Sequence, residues 1–196
     1  MGRARDLANI LSSSGNVALD SELGLSLITP TSVATTGGSN SISTTGAVSF
    51  TSASAVSLNG VFSSSYDNYL IYSSLIDTST PDIKLRLRVN GVDNSSSGNY
   101  RFSRIYTGNT SSASLTGEVN QSSTSFTIGD CSARTGMVIN IFSPFISELT
   151  TFNSDIQNAY HVITSGTMTV TTSYDGFTLL AGSSLTGTMR IYGYRN

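Results

Sequence analysis

The sequence predicts an all-β fold, an antiparallel β-sandwich preceded by a short N-terminal helix and an extended arm. Two observations point there. Hydroxyls stand in for charge: 11% of the 196 residues are Asp, Glu, Lys or Arg, while Ser and Thr make up roughly a third, against about a quarter charged in an ordinary globular chain. Thr is β-branched and suits a pleated, half-buried surface, whereas Ser, Gly and Asn suit the turns between strands. From Ala47 onward, short apolar runs recur with turn residues between them, the pattern of a sandwich or barrel. A disordered Ser/Thr tract would lack the spaced Val, Ile, Leu, Phe and Tyr that persist from Phe50 to Tyr194.

Residues 1–14 open with MGRARDLANIL, where Ala4, Leu7, Ala8 and Leu11 fall at helical spacing and Arg3, Arg5 and Asn9 lie on other faces. So short a helix is marginal alone in water. It is expected to form when docked, either on its own domain or on a partner or threefold mate. Residues 15–46 form the expected arm, where turn and linker chemistry dominates in Thr29-Pro30 and Thr35-Thr36-Gly37-Gly38. The patch LGLSLI at 23–28 needs cover, as a strand or against a neighbour.

Residues 47–196 form the sandwich domain. Its candidate strands are AVSFTS, SAVSL, YLIYSSL, IKLRLRV, YRFSRIYT, SFTIG, GMVINIF, AYHVITSG, TMTVTT, GFTLL and GTMRIYGY, of which about eight to ten are expected to be real. The cleanest is the run where Ile83, Leu85, Leu87 and Val89 alternate with Lys84, Arg86 and Arg88, giving one core face and one cationic face. Asn90-Gly91 follows, a dipeptide that closes tight hairpins. GMVINIFSPF is nearly continuous in apolar residues, as for a central strand covered on both faces, and Pro144 ends it. The related segments SYDNYL (65–70) and SYDGFTL (173–179) suggest one device used twice. Its Asp accepts backbone N–H groups in a turn while the aromatics enter the core; sugar stacking on Tyr66 or Tyr174 is the other reading.

Several function classes fall away. A net charge of −2 and a pI near 5.2 provide no field to gather nucleic acid or an anionic membrane. Cys131 is the single cysteine, so neither an intrachain disulfide nor a Cys-based metal site is available. No apolar run reaches the roughly 18 residues of a membrane span, and the start lacks the apolar core of a signal peptide. Assembly in a cytoplasm is therefore expected, without membrane insertion.

Catalysis has little to work with. A Ser-His-Asp hydrolase would need His161, the one histidine, which sits in the strand-like AYHVIT. GSSLTG at 182–187 is no nucleophile elbow. A glycosidase needs two opposed carboxylates, and nothing in the sequence singles out a pair. Asp67, Asp93 and Asp175 lie in turn contexts, without the dense pattern of a calcium loop. No catalytic residue, metal ligand or cofactor is expected.

The stripe Lys84, Arg86 and Arg88, joined by Arg101 and Arg104 on a following strand, is the candidate partner or receptor face. It reads either as a solvated face that discourages aggregation or as a surface for an acidic neighbour or acidic polysaccharide.

The opening MGRARDLANILSSSGNVALDSELGLS, the middle VSLNGVFSSSYDNYLIY with KLRLRVNGVDNSSSGNY, and the close TTSYDGFTLLAGSSLTGTMRIYGYRN resemble small tail-fibre and virion-decorating proteins of marine and cyanobacterial tailed bacteriophages. The resemblance spans most of the chain and departs most at 108–134. It implies an N-terminal helix and arm attached to the particle and an outward-facing, jelly-roll-like antiparallel β-sandwich, often in three copies. Arg3, Arg5, Asp6, Leu7, Ile10 and Leu11 are then the virion-anchoring residues. The expectation is a non-enzymatic virion structural protein, a tail fibre or tail-associated attachment protein. A capsid decoration protein and a glycan-binding receptor module are the alternatives. Expected partners are tail, baseplate or capsid proteins, its own copies as a homotrimer, and a host surface glycan.

Overall fold

The computed structural model describes residues 24–77, 82–108, 115–131, 133–157 and 160–194, and among them every regular element is a strand. No described helix is long and apolar enough to cross a membrane. The anchoring helix expected over 1–14 lies outside the described residues. The arm expected over 15–46 is extended where it is described, but it is not free of the domain. It forms β1 (Ser26–Ile28), β2 (Ser32–Thr36) and β3 (Ser39–Ile42), all hydrogen-bonded to strands of the sandwich. The reason is visible in β2, where Val33 and Thr35 point to the protein and alternate with exposed neighbours. A polar run with period two can still pair.

Two long strands hinge the molecule. They are β4 (Val48–Asn59) and β14 (Gly176–Tyr194), antiparallel to each other along most of β4. The first half of β14 also pairs with β6 (Asp82–Val89), and its second half with β5 (Asn68–Asp77). Its register breaks between Leu180 and Gly187, and opposite this break Ser52 of β4 takes a positive φ of 55°. The backbone N–H of Ser52 donates to Thr186 Oγ1 at 2.9 Å. This bulged bend carries both strands from one layer of the sandwich to the other.

The smaller layer runs β2, β4, β14, β6 and ends at β10 (Phe126–Asp130). The larger continues from β14 through β5, β11 (Thr135–Phe142), β12 (Thr151–Gln157), β13 (Tyr160–Met168) and β8 (Tyr100–Gly108) to β9 (Leu115–Ser123). All pairings are antiparallel. Inward residues alternate along each strand, so Ile71, Ile139, Leu85, Leu87, Phe177 and Leu179 are almost wholly buried between the layers. Removing such a side chain to Ala costs about 2–5 kcal/mol.

β10 closes over the larger layer. Phe126 meets Phe152 with ring centroids 4.1 Å apart, and Ser154 Oγ donates to the Ile128 carbonyl at 2.6 Å. Gly129, at a bulge in β10 with φ 152°, lets that backbone approach Ile156; a Cβ there would lie 2.0 Å from the Ile156 Cδ1.

The Asn90-Gly91 turn joins β6 to β7 (Val92–Asp93), and both turn residues have positive φ, 51° and 78°. The strand expected to be covered on both faces, β11, is central in pairing, flanked by β5 and β12. Its outer side chains Val138, Asn140 and Phe142 are nevertheless only half-buried, because no second sheet of the described residues lies on that side. Runs read separately merge: AVSFTS with SAVSL into β4, and GFTLL with GTMRIYGY into β14.

Candidate functional site

The cationic stripe on β6 does not present three free charges. Ile83, Leu85 and Leu87 are buried as the alternation requires, and Lys84 is exposed. Arg88, however, keeps only 11% of its side chain exposed. It pairs with Asp93 and donates to Asn59 Oδ1 and Ser57 Oγ, both at 3.0 Å, and to Thr178 Oγ1 at 2.7 Å. Arg86 donates from Nε to the Thr124 carbonyl at 3.0 Å. Both guanidiniums lie down on the smaller layer: Arg88 ties β4, β6 and β14 together, and Arg86 ties β6 to the turn before β10. Planar, multi-donor groups do this readily where neighbours offer hydroxyl and amide oxygens.

Arg101 and Arg104 do not extend the stripe. Three residues apart on one strand, they point to opposite faces. Arg101 is exposed, while Arg104 faces inward at the edge of the sandwich remote from the hinge. There its guanidinium meets three carboxylates from three strands: Glu118 of β9 at 2.5 Å, Asp82 of β6 at 3.0 Å and Asp130 of β10 at 3.3 Å. It also lies 4.7 Å over the Tyr106 ring, whose hydroxyl donates to Glu118 at 2.7 Å. Asp130 and Asp82 are direct cross-strand partners. Burial, and then the hydrogen bond with Asp82, push the Asp130 carboxyl up to about 6 although Arg104 opposes it. The hydrogen bond from Tyr106 comes first among the causes that hold Glu118 below its usual range. This cluster clamps the two layers; the described residues hold no group of His, Cys, Asp and Glu arranged for a metal ion.

His161 lies on the outer face of the larger layer, where Nε2 is 2.9 Å from Asp155 Oδ1. The turn device of SYDGFTL is realised: Asp175 Oδ2 accepts the Asn90 N–H at 2.9 Å and Tyr174 is fully buried, its hydroxyl accepting from Asn94 Nδ2 at 2.8 Å. Tyr66 packs edge-on against Tyr69 at 6.2 Å. Neither tyrosine is an open platform. Cys131 is buried, with its thiol pushed up by burial, and donates to the Ala133 carbonyl at 3.4 Å.

The open chemistry sits instead on the outer face of the larger layer. Tyr72 of β5 is 48% exposed and pairs in register with Arg190 of β14; Ser74 pairs with Thr188. A recess of about 380 Å³ opens among Ala47, Tyr72, Ser74, Thr188 and Arg190, at the seam where the far edge of β14 passes from β4 to β1. Tyr192 braces Tyr72 edge-on, with centroids 6.2 Å apart. Arg134 reaches the same place, with Nη1 3.5 Å from Ser74 Oγ. Farther along the face, Ile105, Val119 and Ile163 are 48%, 65% and 45% exposed. The sequence reading passed over Tyr72, Arg134 and Arg190. Alternation in GTMRIYGY does put Arg190 and Tyr192 opposite the buried Met189 and Ile191, but only sheet register brings Tyr72 beside them.

No family model and no curated protein matches the chain. Among solved structures it is similar to Lotus tetragonolobus seed lectin, at 8% identity and a TM-score of 0.27, over 83% of this chain and 92% of the lectin. So loose a superposition carries no weight for function.

Proposed function

We propose that the chain is a structural attachment protein of a tailed-bacteriophage virion, a tail fibre or tail-associated component. It is held to the particle through residues 1–14 and displays its sandwich outward in sets of three, with no catalytic role. The jelly-roll-like character expected from sequence is part of this reading.

The observation that carries it is the outer face of the larger layer. Tyr72, Ile105, Val119 and Ile163 are open to solvent on an otherwise hydroxyl- and amide-rich sheet. Broad exposed faces that mix apolar and polar groups are surfaces for contact with other molecules. The sequence resemblance supplies the kind of assembly. Few charges and many hydroxyls suit a module crowded with copies of itself, where geometry and avidity matter more than the strength of one contact.

The test is incorporation. A chain with both Leu7→Asp and Leu11→Asp should be lost from purified particles while its circular dichroism and thermal midpoint stay those of the parent. Incorporation at the parental level would overturn the anchoring role.

A further inference from the structure

We propose that the recess between β5 and the second half of β14 is a subsite for a carboxylate-bearing sugar ring, with Tyr72 as platform and Arg190 and Arg134 as charge partners. The inference rests on the attachment reading and names the chemistry its exposed face would meet.

The chain holds ten Lys and Arg residues, and half of the six arginines among the described residues are occupied. Arg86, Arg88 and Arg104 are committed to fixed partners within the fold. Arg190 and Arg134 are different: no ion pair engages either among the described residues, and Arg134 donates to the hydroxyl of Ser74. Among the described residues, the nearest acid on this face along the register is Asp155, two strands from Tyr72 at about 10 Å by strand spacing, and it faces His161. One guanidinium, that of Arg190, therefore lines the recess and a second, that of Arg134, reaches the serine at its rim, on a chain of net charge −2. An arginine fork matches a carboxylate with two parallel hydrogen bonds.

The rest of the lining selects a sugar. A pyranose has an apolar C–H face and a rim of hydroxyls. Tyr72, held upright by Tyr192, offers an aromatic surface with a polar tip. Ser74 and Thr188 put two hydroxyls beside it that can donate or accept. The recess volume of about 380 Å³ lies within the range of small-molecule sites. An acidic peptide is a poorer occupant, because β5 has both edges paired and β14 is covered by β4 and β1 on either side of Arg190. A peptide strand could not add to the sheet there. Single-site affinity should be in the millimolar range, made effective by many copies on one particle.

The full chain should be titrated calorimetrically with tetramers of galacturonate, glucuronate and mannuronate, with their methyl esters, and with tetraglutamate. At least one uronate tetramer should bind, its ester at least about tenfold more weakly, and Tyr72→Ala and Arg190→Ala should each weaken binding by about tenfold, a loss of roughly 1.4 kcal/mol. Arg190→Lys, which folds with the least disturbance, should recover part of the loss. Silence of all three uronates, equal binding of an ester, tetraglutamate as the tightest ligand, or parental affinity in both alanine variants would overturn the assignment. Particles that carry the chain while the free chain ignores uronates would remove the sugar site alone. Uronate binding by a chain absent from particles would remove the attachment reading instead.

Discussion

Tyr100 shows how single residues hold this sandwich. Its ring is fully buried with its edge against Phe126, centroids 4.8 Å apart. Its hydroxyl donates to the Asn94 carbonyl at 2.6 Å and accepts the Leu87 N–H at 3.1 Å. It thus ties the end of β6 and the loop after β7 to the start of β8. Tyr100→Phe keeps the ring and strands both partners in the interior, where an unsatisfied polar group costs about 1–3 kcal/mol. Chemical denaturation should show a loss of that size with an unchanged m-value, and parental stability would mean that the hydroxyl is dispensable. Tyrosines of this kind were partly legible in sequence: the SYDGFTL turn device put Tyr174 into the core, and Tyr100 opened the candidate strand YRFSRIYT. Which hydroxyl meets which backbone group was not, since Asn94 and Leu87 are brought to Tyr100 by the Asn90-Gly91 hairpin and the loop that follows it.

Among the elements, β6, β8, β9 and β10 meet at the edge opposite the hinge, and the Arg104 cluster makes their contact pH-dependent. Folded, Asp130 holds its proton up to about 6, whereas its ordinary value is 3.8. The contribution is therefore complete below the ordinary value and is lost as pH rises through about 6. Glu118 acts in the other direction: its lowered value contributes above the usual carboxylate range and fades as pH falls. Asp130→Asn keeps the shape and removes the titration. The parent should lose on the order of 2 kcal/mol between pH 4 and pH 7 relative to the variant, read from urea midpoints. Parallel pH profiles for the two chains would remove Asp130 from this role.

Element boundaries were harder to read than element type, for identifiable reasons. AGSSLTG at 181–187 has the composition of a turn, yet it is a bulged strand, because the bend between layers needs the same small, flexible residues that a turn needs. β9 is LTGEVNQSS, with too few apolar residues for alternation to register. It forms because β8 supplies an open edge beside it. By contrast, Ile83–Val89 and Asn90-Gly91 were legible, since period two and a positive-φ turn are local properties of the chain. The cationic stripe misled because its periodicity fixes a face but says nothing of the oxygens lying on that face, and Ser57, Asn59 and Thr178 come from β4 and β14.

At the scale of the whole molecule, an all-β, hydroxyl-rich sandwich follows from composition and period. The split into two layers does not, because it depends on where β4 and β14 bend. The candidate site was illegible for the same reason, being made by neighbours across β5 and β14. Among the described residues nothing covers one broad face of the larger layer, and the uses proposed above all depend on that face being displayed by an assembled particle. Cryo-electron imaging of purified particles with copy counting tests this most directly. It should find the sandwich on the particle exterior in groups of three, the outer face of β5, β11 and β13 accessible and residues 1–14 against the particle body; particles that lack the chain, or that hold it with that face sealed inside the shell, would contradict it.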